Sequence, residues 1–187
     1  MKTIRLHCLA ALALLVTGAV AQPAAAQSSA KPTDCAATHG PLPSGWSGTA
    51  FAIDGDTLAG VGLKPRIRIW GIQAPELRDK RTGQETVPGM RSRAFLVDML
   101  AVAENRVSCR VHKFDRYCRL VAQCVSAKIE PSVEVGQNMI AAGYAYGYWL
   151  EDALPWDADA GRRYDAAENR ARRERAGLWP TWAGVQK

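Results

Sequence analysis

Between residues 49 and 124 the alternation of apolar and polar positions divides much of the chain into short extended runs. Residues 49–53 and 57–61 flank Asp54-Gly55-Asp56, a break over 62–65 follows, and 66–72 resumes the alternation. The pattern predicts strand, turn, strand, turn, strand. The period changes at Pro88: Met90, Ala94, Val97, Leu100 and Val102 recur at mostly helical spacing across 88–103, and Pro88 suits a first helical turn. Two more extended runs, 107–111 and 120–124, predict a hairpin. A short helix is expected over 135–142, stopped by Gly143, and a longer one over 162–176, stopped by Gly177 and Pro180. About five strands and three helices make this an α+β chain. Strand alternation places Ile67 and Ile69 on one face and Arg66, Arg68 and Trp70 on the other, so Arg68 is expected to leave the core toward a cleft or solvent.

The N-terminus follows a different pattern. Lys2 and Arg5 precede an apolar run from Leu9 to Val16, and Ala19-Val20-Ala21 has the small-x-small form of a signal-peptidase site. Residues 1–21 therefore read as an export signal, too short in its apolar run to span a bilayer. Ala24-Ala25-Ala26 offers a second cut. Residues 22–45 are rich in Ala, Ser, Pro and Gly and read as a flexible arm, with the folded domain over 46–182. Export predicts a periplasmic or secreted protein with no stable membrane association. Loss of Lys2 and Arg5 lowers the formal charge of +6 by two, and the remainder stays basic, which suits a polyanionic partner.

Four cysteines follow the signal: Cys35, Cys109, Cys118 and Cys124. An even number in an exported chain favours disulfides, with three possible pairings. Cys109 shares a strand face with Val107 and Val111, and Cys124 shares one with Leu120 and Ala122, so a hairpin would point both thiols inward and favour a Cys109–Cys124 bridge. Cys35 and Cys118 remain for the second. A zinc site is the competing reading, but no Cys-x-x-Cys pair is present.

The chemistry is concentrated in separated motifs: Asp54-Gly55-Asp56-Thr57, then Arg68 eight residues before Glu76, then Asp115-Arg116-Tyr117-Cys118-Arg119. Each alone has a bland reading, as a tight turn, a loop acid or a solvated arginine. Together they hold what water attack on a phosphodiester needs: a carboxylate to accept a proton, guanidinium forks for the phosphoryl oxygens, and an acidic turn for a cation.

These motifs, with the later Tyr164, Ala167-Glu168, Ala171 and Gly177-Leu178-Trp179, occur in an order that resembles the staphylococcal nuclease (thermonuclease) family over about residues 48–180. The resemblance implies a five-stranded OB-type β-barrel with three helices, calcium dependence, and cleavage of DNA and RNA. By position it implies Arg68, Glu76 and Arg119 as catalytic residues, Glu76 being the general base and the arginines the phosphate holders. It implies Asp56, residue 73 and the carbonyl of Ala74 as metal ligands, with Asp54 nearby, and Arg116 and Tyr117 as nucleic-acid contacts. Tyr146, Tyr148 and Trp149 fall near the family's base-stacking aromatics. Two positions depart from the family: Gln73 stands where a second calcium aspartate is expected, and Cys118 stands where a glycine is usual. One lost carboxylate should weaken calcium binding, which leaves as the alternative a catalytically weakened or inactive OB-fold module that binds nucleic acid or another anionic ligand. The arginine-rich last helix is either a solvated face or a phosphate-backbone contact.

Overall fold

The computed structural model describes residues 34–127 and 132–182. The export signal expected at 1–21 and the first part of the expected arm lie outside the described residues. In chain order the elements are α1 (Cys35–His39), β1 (Gly45–Ala52), β2 (Thr57–Gly60), β3 (Ile67–Ile69), β4 (Ile72–Gln73), α2 (Val87–Val102), β5 (Arg106–Phe114), β6 (Leu120–Ser126), α3 (Val135–Ala141), β7 (Tyr146–Gly147) and α4 (Ala160–Glu174).

Five strands close a barrel in the order β1-β2-β3-β6-β5, while β4 and β7 pair in a separate ribbon. All barrel pairs are antiparallel except β3 with β6, whose register sets Arg68 beside Val121. This is the expected α+β OB-type barrel, with a fourth helix: α1 and the first residue of β1 fall within the stretch from 34 to 45 read as arm.

The run expected at 66–72 splits in two. Gly71 takes φ of 72°, which ends β3 and redirects the chain into β4; an added Cβ there would lie 2.9 Å from the Tyr164 ring. Trp70 consequently does not share the arginine face. It is only 2% exposed, meets Tyr164 edge-on at 5.2 Å, and donates Nε1–H to the Asp152 carbonyl at 3.0 Å. Alternation fails at this residue because the strand has already ended.

Helix α2 also corrects the sequence reading. Its buried stripe is Gly89, Ser92, Leu96 and Leu100, at spacings of three and four, whereas Met90, Val97 and Val102 are exposed. Thr86 caps the helix by accepting from Gly89 N–H at 3.1 Å. The face against the barrel is therefore built partly from small residues, which admit the acidic turn: Ser92 Oγ would lie 2.0 Å from a Cβ on Gly55.

Helices α3 and α4 pack together and hold the β4–β7 ribbon. Glu134 caps α3 by accepting from Gly136 and Gln137 N–H, and takes a third hydrogen bond from the Tyr164 hydroxyl at 2.7 Å. Burial pushes its carboxyl above the ordinary range, against the pull of these hydrogen bonds. Glu168 of α4 accepts from Gly147 N–H at 2.7 Å and from Arg172, one helical turn on. Gly147 immediately precedes Tyr148, whose N–H donates to Gly71 O at 2.9 Å, so α4 fixes the aromatic segment beside the barrel.

Both expected disulfides are present. Cys109 and Cys124 face each other across β5 and β6 and are bonded, and Cys35 of α1 is bonded to Cys118. On the chain-entropy account, loops of these lengths stabilise the fold by about 3 and about 4.5 kcal/mol. No described helix is long and apolar enough to cross a membrane.

Candidate active site

The motifs meet at one end of the barrel, around a cleft of about 710 Å³. Asp56 enters it from the turn before β2, Arg68 from β3, Gln73 from β4, Ala74 and Glu76 from the following loop, and Arg119 from the residue before β6. Arg116, Tyr117, Tyr148 and Trp149 line the same cleft, with Asp54, Asp115, Lys80 and Lys113. Tyr146 does not line it; its ring meets Trp182 edge-on at 5.4 Å.

Arg68 and Asp56 form the buried heart of the site. Arg68 is 9% exposed and Asp56 6%, so the arginine expected to reach cleft or solvent does line the cleft but is almost wholly covered. Its Nη2 lies 3.3 Å from Asp56 Oδ2 and donates to Gln73 Oε1 at 3.0 Å, while Nη1 donates to the Ile69 carbonyl at 2.9 Å. Burial raises the Asp56 carboxyl above its ordinary range, opposed by the Arg68 charge; burial likewise lowers Arg68, opposed chiefly by Asp56. Removing either partner would strand a buried charge, at a cost of about 3–5 kcal/mol.

A hydroxyl joins this pair to the second arginine. Thr57 donates to Asp56 Oδ1 at 3.1 Å and accepts from Arg119 Nη1 at 3.4 Å. Arg119 is further held by Nε donating to Asp115 Oδ2 at 2.7 Å, while Asp115 Oδ1 accepts from the N–H groups of Tyr117 and Arg119. One carboxylate thus shapes the turn and aims its guanidinium. Sequence reading placed Asp115 and Thr57 within motifs but assigned them no role. The Asp-x-Tyr-x-Arg spacing, which lets the carboxylate reach back to amides two and four residues on, was the available signal.

Glu76 stands at the rim. Its side chain is 58% exposed and paired with Lys80 at 3.1 Å, a partner that sequence reading missed. Such an exposed pair is weakly held, so Glu76 is free to exchange Lys80 for water or ligand. Across the cleft Tyr148 and Trp149 stack at 5.5 Å with their planes 12° apart, and the Arg116 guanidinium lies 4.8 Å from the Tyr117 ring centre. Flat π-faces and cations side by side are what a single nucleic-acid strand requires of its binding surface.

At the implied metal position Asp56 Oδ2, Gln73 Oε1 and the Ala74 carbonyl are hard oxygen donors brought together by shared contacts, with Asp54 lining the same cleft, and they fit calcium in kind. They also have internal partners. Arg68 Nη2 contacts the first two, Ala74 N–H donates to Asp56 Oδ2 at 2.9 Å, and Gln73 Nε2 donates to the Ala74 carbonyl at 3.0 Å. An ion must displace these contacts and is met by one fewer carboxylate, so weak binding is expected. Among the described residues no group of three or more His, Cys, Asp or Glu side chains is placed to hold a metal.

Paired guanidinia and an acidic turn thus meet at one end of an OB-type barrel. The model of the family described as Staphylococcal nuclease homologue matches residues 66–181, more than half of the chain, and the protein belongs to that family. The matched span begins after the 54–57 turn, which the fold nevertheless delivers to the same cleft. Relatives bearing the name "Probable endonuclease LCL3" come from Leptosphaeria maculans, 32% identical over 117 residues (63% of this chain, 38% of the relative), and Phaeosphaeria nodorum, 27% identical over 135 residues (72% and 44%). A third, from Colletotrichum graminicola, is 30% identical over 118 residues (60% and 40%). The chain spans about two fifths of the length of these relatives.

Proposed function

We propose that this protein is an exported nuclease that hydrolyses phosphodiester bonds of DNA and RNA with calcium assistance. The observation that carries this reading is the connected set Arg68–Asp56–Thr57–Arg119, which sets two guanidinia in the cleft that Glu76 borders. The family and the relatives named as endonucleases support it. The signal-like N-terminus and the two disulfides support export.

In the proposed reaction the scissile phosphate sits between Arg68 and Arg119, whose N–H groups follow the charge that grows on the phosphoryl oxygens. Arg68, fixed by burial and three internal partners, supplies a preorganised donor. Arg119, held firmly through Nε on Asp115 and more loosely through Nη1 on Thr57, turns Nη2 toward the substrate. Glu76 accepts a proton from the attacking water after Lys80 turns aside to solvent or to a neighbouring phosphate. Held on Asp56, Gln73 and the Ala74 carbonyl, calcium would supply positive charge beside the phosphate and acidify a nearby water. Tyr148, Trp149, Arg116 and Tyr117 seat the flanking nucleotides.

Glu76→Gln and Arg119→Ala test the roles without disturbing the buried pair. Each is expected to lower the cleavage rate of denatured DNA and of RNA by about 10²–10⁴-fold while the thermal midpoint stays close to that of the parent. Parent-like rates in either purified variant would refute its role. A binding module without catalysis is the second reading, favoured by the neutral amide of Gln73 inside the Arg68 network. Salt-sensitive binding with no cutting, in calcium or in chelator, would select it.

A further inference from the structure

The two disulfides occupy different mechanical positions. Cys109 and Cys124 are directly opposed in a strand pair that ladder hydrogen bonds already join, and both are buried in the barrel core. Cys118 lies in the turn that carries Arg119, next to it in sequence, and is tied to a helix 83 residues earlier.

Three observations converge on that turn. Cys118 adopts φ of 57°, the left-handed region that a β-carbon disfavours and glycine accepts, so the turn is held against the residue's own preference. The Cys35 sulfur lies 3.7 Å from the carbonyl oxygen of Asp115, the residue whose side chain clamps Arg119 and whose carbonyl accepts from Cys118 N–H at 3.0 Å. The same helix α1 touches the turn's other flank, where the His39 ring stacks on Phe114 at 6.3 Å. A five-residue helix thus grips both sides of a bend whose five internal hydrogen bonds all run through one residue, Asp115.

We propose that the Cys35–Cys118 disulfide is a positioning device for Arg119: by docking α1 against the 115–119 turn, it holds the guanidinium in register with Arg68. The proposal rests on the nuclease reading for its catalytic consequence, while its geometric content stands by itself. Arg119 remains the group that meets the phosphate; Cys35 and Cys118 act through it. The Cys109–Cys124 bridge has no such role.

The test compares Cys35→Ala/Cys118→Ala with Cys109→Ala/Cys124→Ala in the full exported chain, by amide exchange at Tyr117 and Arg119, thermal midpoint, and kcat and KM on denatured DNA. In the first variant, exchange at both amides should quicken at least about tenfold as the bend opens locally. Its kcat should fall by roughly ten- to a hundredfold, as misplaced catalytic groups do. The second variant should melt earlier while keeping the parent kcat and the parent exchange at those two amides. A third, Cys35→Ala/Cys118→Gly, relieves the left-handed strain without restoring the tether and should recover only part of the lost kcat. Unchanged exchange and kcat in the first variant would overturn the proposal. So would full recovery in the third, which would assign the effect to the Cys118 backbone alone. If the parent cuts neither DNA nor RNA, the nuclease reading fails, and amide exchange still decides whether the tether orders the turn.

Discussion

Arg68 and Gln73 are joined by a 3.0 Å hydrogen bond in which the guanidinium occupies the amide oxygen expected to face a metal. The same nitrogen lies 3.3 Å from Asp56, so a cation built into the chain already attends two of the oxygens a calcium ion would use. Substituting Gln73→Asp restores a carboxylate at this point. Calorimetric titration should show calcium affinity rising about tenfold or more, and less calcium should be needed for half-maximal cleavage. Identical titrations for the two proteins would remove residue 73 from the ligand set.

Tyr148 and Trp149 stack on each other at the cleft's edge, with Lys113 Nζ 6.0 Å from the Trp149 ring. Base stacking of this kind contributes about 1–3 kcal/mol per base. Trp149→Ala should therefore raise KM for a single-stranded substrate by about five- to a hundredfold and leave kcat within about twofold, because uniform binding is lost and the reacting centre is untouched. A fall in kcat at constant KM would place the ring at the chemistry instead.

Gly55 has no room for a side chain. A Cβ would lie 2.0 Å from Ser92 Oγ and 2.6 Å from Ala74 Cβ, so either α2 or the acidic turn must move. Gly55→Ala should cost about 1–3 kcal/mol in urea unfolding, as overpacking does. It should also slow cleavage beyond the loss of folded protein, because Asp56 moves with the turn. A variant of parent stability and rate would show the turn to be compliant.

Asp157 accepts from Arg163 at 2.9 and 2.6 Å, and this partner holds its carboxyl below the usual range despite partial burial. A depressed folded pKa stabilises the fold fully above the unfolded value of about 3.9, and the gain disappears as pH falls through the folded value. Arg163→Met should flatten the acid side of the stability curve below about pH 4. With the Arg163 side chain 42% exposed, the neutral-pH loss should stay below about 1 kcal/mol. Urea unfolding at a series of pH values measures both; an unchanged acid slope would refute the linkage.

Local pattern carried a large part of this architecture. The β1–β2 turn is legible because Asp-Gly-Asp interrupts two alternating runs, and the Cys109–Cys124 bridge because two strand faces place both thiols inward. Tertiary closure decided the rest. Trp70 turned into the core because Gly71 ends its strand, and α2 buries Ser92 against the acidic turn and Gly89 against the backbone of Glu76 and Leu77. The convergence of Asp56, Arg68, Glu76 and Arg119 could be expected from their order and resemblance. The Arg68–Gln73 bond, the Thr57 bridge and the Lys80 cover over Glu76 could not, since each depends on side-chain rotamers meeting across separate elements.

The link from Cys35 to Cys118 gives the chain a sense of place. Its sulfurs can join only after 83 further residues have been made and an oxidant is at hand, conditions absent among cytosolic thiols. On the roles proposed here, a newly made copy carries a slack phosphate grip while it shares a compartment with the genome and transcripts of its maker. On the proposed export the grip tightens on arrival outside, and the timing of one covalent bond separates a polypeptide of roughly ten- to a hundredfold lower kcat from its fully active form.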